Sequence, residues 1–284
     1  MSVVTLPSDP VNLSHGAARI TYCHDGGATR LADLYHHDPL RVVFPNPASG
    51  EPPSAVLVTT SGGLVGGDRL DVGVTLGANA QAMVLAQAAE KVYRSTGADC
   101  RIDVGLRADA GSWLEYLPQE TILFEGSRMR RNTRIEAASG ARVLAGEMLV
   151  FGRVARGETV TDGLIRDAWE IRRDGKLVWA DAVHMENPLA EVLAHPAGFD
   201  GAVACATVVY VGDDAEDFLE LGRASLGDDG DALRGGATVV NGVLILRWLG
   251  RDAFTLRRAF GSFWEAFRQE AAGLPASLPR LWHM

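Results

Sequence analysis

Four glycines within six positions constrain this chain more than any other stretch of its sequence: Gly62, Gly63, Gly66 and Gly67. An apolar run at residues 55–58 precedes them, and an alternating run at residues 70–76 follows, so both flanks have the pattern of a β-strand. Closely spaced glycines are costly inside a regular element and occur where the backbone needs a positive φ or a close approach. The stretch therefore predicts a tight corner between two strands.

A glycine-rich turn can also bind phosphate through its free N–H groups. A Walker loop, however, continues with Lys and Ser or Thr after its last glycine, whereas Asp68 stands at that place here. The dinucleotide fingerprint opens a helix, but this block leads into a strand pattern. Asp68 itself has a structural interpretation, because Asp side chains often accept hydrogen bonds from backbone N–H groups in turns.

Short β-like segments fill the chain from residue 70 to about residue 182, and they show a faint repeat of about 30 residues. Turns of small residues at 77–80, 108–111 and 138–141 each separate one strand pattern from another apolar strand. Stacked repeats of two strands would give a solenoid-like or two-sheet β body. The chain therefore predicts a mostly β fold, an elongated two-layer or β-solenoid-like body of stacked short strands.

Two α-helices are predicted in the C-terminal third of the chain. The first follows the acids at residues 213–217, and the second begins after Asp252. Large apolar side chains recur at helical spacing in the second helix and predict a buried face, at Leu256, Phe260, Phe263, Trp264 and Phe267. We expect residues 1–284 to form a single domain, with the β body at about 15–212 and the helices and further strands at about 213–284.

Polar side chains end the second strand of each repeat. They are Gln87 in the first repeat, Gln119 and Glu120 in the second, and Glu147 in the third. Stacking would bring these ends, together with Asp68 at the corner, to one side of the body as a polar strip or cavity. The plainer interpretation is that they are strand ends facing water.

Paired glutamates also permit a second function, a β-helical hydrolase that cleaves polysaccharides between two carboxyl groups. Such an enzyme would benefit from an aromatic platform for the sugar. Trp113 and Tyr116 lie near the strip, but their opposite parity along one strand puts them on different faces. No arrangement of nucleophile, base and orienting residue is evident in the sequence.

Composition and charge exclude several classes of protein. The formal net charge of −9 disfavours nucleic acid as a partner but leaves cations open. The longest apolar run covers residues 202–211, too short to span a membrane, and the first residues have no secretory pattern. The 3 cysteines are far apart, which favours a reducing cytoplasm over a disulfide framework or a zinc site. His36 and His37 are neighbours on a predicted strand, so they should face opposite sides and not share one metal ion.

Several separate motifs resemble the urease accessory protein UreD family, called UreH in some organisms. The resemblance begins with the glycine-rich block at residues 60–68 and extends over nearly the whole chain. The other matching stretches follow in the family's order, at residues 29–44, 87–95, 118–124, 151–153 and 278–282.

This resemblance implies a β-rich scaffold with two helices and no catalytic activity of its own. Members of the family bind urease apoprotein and the accessory protein UreF, which in turn holds the GTPase UreG, and together they deliver nickel to urease. An internal tunnel through the UreD-type subunit is a proposed route for nickel. The resemblance thus implies transient nickel rather than a permanently bound cofactor, and it assigns no surface to either partner.

The resemblance makes three carboxylates candidates for the nickel path: Asp68, Glu120 and Glu147. Oxygen ligands suit a transit route, because divalent ions of borderline softness bind carboxylate and amide oxygens weakly enough to leave again. Strong chelation by Cys or His would trap the ion.

Overall fold

The computed structural model describes residues 13–227 and 230–283. Residues 1–12, on which the absence of a secretory pattern was judged, lie outside this part of the chain. Seventeen strands are present in it: β1 His15–Asp25, β2 Ala28–His37, β3 Leu40–Val43, β4 Ser54–Thr59, β5 Arg69–Leu76, β6 Gln81–Ala86, β7 Glu90–Val92, β8 Cys100–Ala108, β9 Trp113–Leu117, β10 Thr121–Leu123, β11 Arg128–Ala137, β12 Arg142–Phe151, β13 Leu164–Arg173, β14 Lys176–Glu186, β15 Ala204–Val211, β16 Leu233–Val240 and β17 Val243–Gly250.

The strands form two sheets. The 7-stranded sheet, here called sheet one, has the order β14-β13-β11-β8-β5-β1-β2. The 10-stranded sheet, sheet two, runs β16-β17-β15-β12-β9-β6-β4-β3 and carries β7 and β10 beside this path. Successive pairs β5–β6, β8–β9 and β11–β12 each place one strand in either sheet, and the equivalent strands pair in parallel. The predicted stacking of two-strand repeats is therefore confirmed, and the fold is β-solenoid-like.

The burial patterns explain the two kinds of strand sequence. In sheet one, β5 and β8 alternate between buried and exposed residues, because their inner face packs on sheet two and their outer face meets water. In sheet two, β9 and β12 are buried nearly throughout, since one face lies against sheet one and the other against a helix. Trp113 and Tyr116 on β9 belong to the two opposite cores, as their parity predicted.

Helix α3, Ala253–Ala272, covers the outer face of sheet two. Asp252 begins it by accepting a hydrogen bond from the Thr255 N–H at 2.7 Å, and Gly273 ends it with a φ of 65°. The five predicted core residues of this helix are all buried. Trp282 at the end of the chain stacks on Phe260 with ring centroids 5.7 Å apart, so the C-terminal apolar group docks on this protein.

The hairpin turns and the two short helices are the remaining local features of the fold. Two-residue turns join β13 to β14 and β16 to β17, with positive φ at Asp174 and Asn241. The first predicted C-terminal helix is shorter than expected: α2 covers only Leu219–Ala224, and no side chain caps its N-terminus. A third helix that the sequence did not indicate, α1, spans Leu189–Ala194. In residues 13–227 and 230–283, no helix combines the length and hydrophobicity that crossing a membrane requires.

Candidate functional site

The glycine-rich corner carries the chain from β4 in sheet two to β5 in sheet one. Gly63 and Gly67 have φ values of 142° and 95°, which residues with a Cβ rarely adopt. A Cβ on Gly63 would also lie only 2.7 Å from the carbonyl oxygen of Lys91. Leu64, between these glycines, donates its N–H to Lys91 O at 2.7 Å, which fastens the corner to β7. The predicted tight corner is confirmed.

Asp68 holds this corner from inside. It is buried, and its two carboxylate oxygens accept hydrogen bonds from the backbone N–H groups of Ser14 at 2.8 Å and Val65 at 2.9 Å. These hydrogen bonds are the ones that the structural interpretation of Asp68 predicts. They tie the start of β1 to the corner.

A cavity of about 290 Å³, lined by apolar side chains with several polar and charged groups among them, lies between the two sheets at the same end of the body. Gln87 and Gln119, at the ends of β6 and β9, both line it, so the stacking brings the two amides to one place as the repeat predicted. Glu90, Lys91 and Arg131 add charged groups to its wall. The cavity therefore combines oxygen ligands with cationic groups at the glycine-rich end.

Glu90 is the carboxylate that lines this cavity. Its Oε2 accepts a hydrogen bond from the Thr59 hydroxyl at 2.7 Å, and its Oε1 accepts one from the Lys91 N–H at 3.2 Å. Burial raises the pKa of Glu90 above its ordinary range, although these hydrogen bonds and the Lys91 charge oppose the rise. A bound proton or a nearby cation would therefore stabilise the buried Glu90 carboxylate, because either offsets its desolvated charge.

Arg131 connects the cavity wall to a buried ionic group. Its guanidinium donates to Asp167 through Nε at 2.9 Å and Nη2 at 2.8 Å, and to the Thr121 hydroxyl at 3.1 Å. Glu147 Oε2 lies 3.1 Å from Arg131 Nε, and Glu147 Oε1 accepts from the Thr133 hydroxyl at 2.6 Å. One guanidinium thus faces two carboxylates in the interior.

The excess of carboxylate charge affects Glu147. Burial raises its pKa to about 8, because the attraction of Arg131 is offset by repulsion from Asp167. Burial also raises the pKa of the Tyr116 hydroxyl, with the Glu147 charge as the next cause. The group can therefore hold a proton near neutral pH.

The structure corrects the placement of Glu147. Strand β12 does not end there but continues to Phe151, and Glu147 pairs in register with Thr207 of β15. Its side chain points between the sheets, and the residue is 3% exposed to solvent.

Glu120 lies in a third environment, at the surface beside α3. Its side chain forms an ion pair with Arg257 of α3 and lines an open groove beside the C-terminal segment. Asp68, Glu120 and Glu147 therefore lie in three different surroundings, and none of them lines the inter-sheet cavity. Across residues 13–227 and 230–283, no group of three or more His, Cys, Asp or Glu side chains could hold a metal ion. Glu120 and Glu147 also do not face a shared groove, as a pair of glycosidase carboxyls would.

Sequence reasoning did not single out Glu90, Arg131 or Asp167. A signal was nevertheless present for Arg131, because it occupies an inward position of β11 between Met129 and Thr133. A charged residue at an inward position of an alternating strand indicates a buried partner. For the neighbouring histidines, β2 confirms strand placement, and His36 Nδ1 accepts from the Val42 N–H at 3.2 Å.

The fold and the site together define a two-sheet, solenoid-like β scaffold with an inter-sheet cavity at its glycine-rich end. The family model for "UreD urease accessory protein" matches residues 14–283. A urease accessory protein UreD from Magnetococcus marinus is 47% identical over 286 residues, which covers 99% of both chains.

Two further relatives carry the same description. The one from Xanthobacter autotrophicus is 43% identical over 269 residues, or 95% of this chain and 90% of its own length. The one from Azorhizobium caulinodans is 40% identical over 267 residues, or 94% of this chain and 95% of its own. The chain belongs to the UreD family of urease accessory proteins.

Proposed function

We propose that this protein is a scaffold for the maturation of urease. In this proposal it binds urease apoprotein and UreF, with UreG held through UreF, and it acts in the cytoplasm without a catalytic activity of its own. Family membership supports the role in urease maturation. Nickel is the cargo of the assembly and not a resident cofactor.

The proposal that nickel passes through this protein rests on the inter-sheet cavity. Glu90, Gln87 and Gln119 present carboxylate and amide oxygens along one cavity, as a route for a divalent cation requires. A cation beside Glu90 would offset the charge that burial disfavours, so the ion and a proton would compete for the same carboxylate. Lys91 and Arg131 on the same wall would keep binding weak, because they repel the ion.

Glu90→Gln tests this route. Gln keeps an oxygen that can accept from Thr59 but removes the charge, so the fold and the complexes should persist while nickel passage declines. Each variant would be co-expressed with the urease subunits, UreF and UreG. Nickel per urease active site would then be measured by elemental analysis. We expect nickel content to fall several-fold in Glu90→Gln.

Glu220→Gln is the matched control, because Glu220 is exposed and pairs with Arg223 on the same helix. Pull-down of UreF and apo-urease checks assembly in every variant. Normal assembly with wild-type nickel content in Glu90→Gln would exclude this carboxylate from the route. Asp68→Asn and Glu147→Gln belong in the same series, since the role of these two carboxylates in a nickel path stays a prediction.

A further inference from the structure

Sheet two is interrupted at one level in two neighbouring rows of strands. Strand β9 pairs with the first part of β12 and β10 with its last part, so β9 and β10 form one broken row. Strands β6 and β7 form a second broken row, because they pair in parallel with β9 and β10. Residues 87–89 and 118–120 lie between the halves of these rows and belong to no strand. These two short stretches together are called the gap below.

The two halves of the gap differ in exposure. Gln87 and Ala88 line the inter-sheet cavity and are exposed, so the cavity reaches solvent there. Gln119 also lines the cavity but is only 5% exposed, and its Nε2 donates to Leu281 O in the C-terminal segment at 3.1 Å. The next residue, Glu120, lines the groove beside α3. At this half, therefore, a single loop separates the cavity from the groove.

The C-terminal turn, Arg280–His283, lies on the groove side of this loop. Its Trp282 ring stacks on Phe260, and the residue is 3% exposed. Gly261 of α3 makes room for the ring, because a Cβ there would lie 3.1 Å from Trp282 Nε1. Glycine inside a helix costs stability, so its presence here indicates that α3 is shaped to seat the turn.

The turn is held less firmly than the segment that leads to it. Arg268, fully buried in α3, donates to Pro275 O at 2.9 Å and to Ser277 O at 2.7 Å. The turn depends on the bond from the cavity wall and on Arg257, which donates to Trp282 O and lies 4.5 Å from its ring centroid. A terminal segment held mainly by side chains opens locally while the rest of the fold stays intact. The turn can therefore leave its seat while the segment before it stays anchored.

We propose that the Gln119 half of the gap is a second opening of the inter-sheet cavity and that the C-terminal turn is the strap that closes it. With the strap seated, the cavity has one mouth, at Gln87 and Ala88. When the turn leaves its seat, the cavity also opens into the groove beside α3 and becomes a passage with an entrance and an exit. This assignment rests on the proposed function, since a route for a cation needs two openings, whereas a binding pocket needs one.

Thiol labelling of the full chain measures the opening. Thr121→Cys places a reporter on the cavity wall directly after the gap, where the native residue is 3% exposed. Trp282→Ala removes the ring that seats the turn. We expect it to raise the rate of iodoacetamide labelling at position 121 about fivefold, as read by peptide mass spectrometry. Native Cys23 is the internal reference and should keep its rate, because it lies beside Gly77 at the far end of β5 from the glycine-rich corner.

Phe254→Ala is the matched control, because Phe254 lines the same groove but is 71% exposed, and it should change the rate by less than about twofold. Deletion of residues 281–284 is the second variant. It removes most of the turn and keeps the bonds of Arg268, so it tests the strap even where Trp282→Ala does not fold.

A wild-type labelling rate at position 121 in either folded strap variant, or an equal rise in Phe254→Ala, would overturn the strap. The labelling needs neither nickel nor urease. Its failure is therefore distinct from a wild-type nickel content in Glu90→Gln, which would overturn the proposed route instead.

Discussion

At the scale of single residues, the buried group around Arg131 couples the fold to pH. The pKa of Glu147 rises from 4.5 to about 8 on folding, chiefly through burial. The folded protein thus holds this proton more tightly than the unfolded chain does. The contribution of Glu147 to stability is fully present below pH 4.5 and is lost as the pH rises through about 8.

Glu147→Gln should remove this pH dependence, because an amide has no proton to lose in that range. Relative to the wild type, the variant should gain stability between about pH 4.5 and pH 8, by up to about 1.4 kcal/mol per pH unit, and the difference should level off above pH 8. Urea denaturation at several pH values gives the free energy of unfolding and tests the slope rather than the absolute value. Exposed Glu220→Gln is the control and should run parallel to the wild type. Parallel curves for Glu147→Gln as well would contradict the raised pKa.

The sequence predicted single residues unevenly. Asp68 had both a structural interpretation and a nickel-path interpretation, and its two backbone hydrogen bonds are those of the first, while the second stays a prediction. The contacts of Arg268 could not be predicted from the sequence pattern. It is fully buried in α3, where it donates to Glu115 on β9 and to Glu51 in the loop before β4. Its two partners lie more than 150 positions away, and helical periodicity contains no information about them.

At the scale of elements, the glycine corner offers a matched pair of substitutions. A Cβ on Gly66 would lie 2.5 Å from the carbonyl oxygen of Ala98, whereas a Cβ on Gly62 would meet no heavy atom within 4 Å. Gly66→Ala should therefore lower the free energy of unfolding by about 1–3 kcal/mol, and Gly62→Ala should leave it nearly unchanged. Chemical denaturation of both variants measures the difference. Equal effects from the two substitutions would show that backbone freedom, not close approach, explains these glycines.

Elements were predictable where local sequence and tertiary packing agree. Asp252 and Gly273 bound α3 as expected, because a capping hydrogen bond and a left-handed φ are local requirements. The helix predicted after the acids at 213–217 shrank to Leu219–Ala224, since those acids have other contacts. Asp214 accepts from the Tyr210 hydroxyl at 2.6 Å, and Asp213 pairs with Arg173. Tertiary hydrogen bonds thus replaced the caps that the pattern predicted.

At the scale of the whole molecule, the repeat of about 30 residues indicated the stacked strands, but it did not indicate the order of the sheets. In each sheet the strands of the repeat are parallel neighbours, and later hairpins extend the sheets from β13 and β15 outward. The inter-sheet cavity depends on this global stacking. The repeat correctly predicted that Gln87 and Gln119 lie together. Arg131 reaches the cavity from a strand of sheet one, and the pattern of polar residues at strand ends contains no information about it.

The two sheets stay open at their edges, and one edge is apolar. Strands β2 and β3 contact each other, and β2 together with the residues at and just after the end of β3 carries exposed apolar side chains, here called the edge patch: Leu31, Leu34, Tyr35, Val43 and Phe44. An exposed edge strand with apolar side chains promotes association between copies. Association through this patch would lower the solubility of the isolated protein.

Leu31→Lys combined with Val43→Lys should therefore raise the soluble concentration of the isolated protein several-fold. The two side chains are 42% and 48% exposed, so replacing them should leave the melting temperature nearly unchanged. The measurements are the soluble fraction at equal expression and the mass by light scattering. Leu177→Lys on β14 is the matched control, because Leu177 is 46% exposed at the opposite edge of sheet one. A wild-type protein that is already monodisperse and highly soluble, or an equal gain from Leu177→Lys, would show that the edge patch does not drive association.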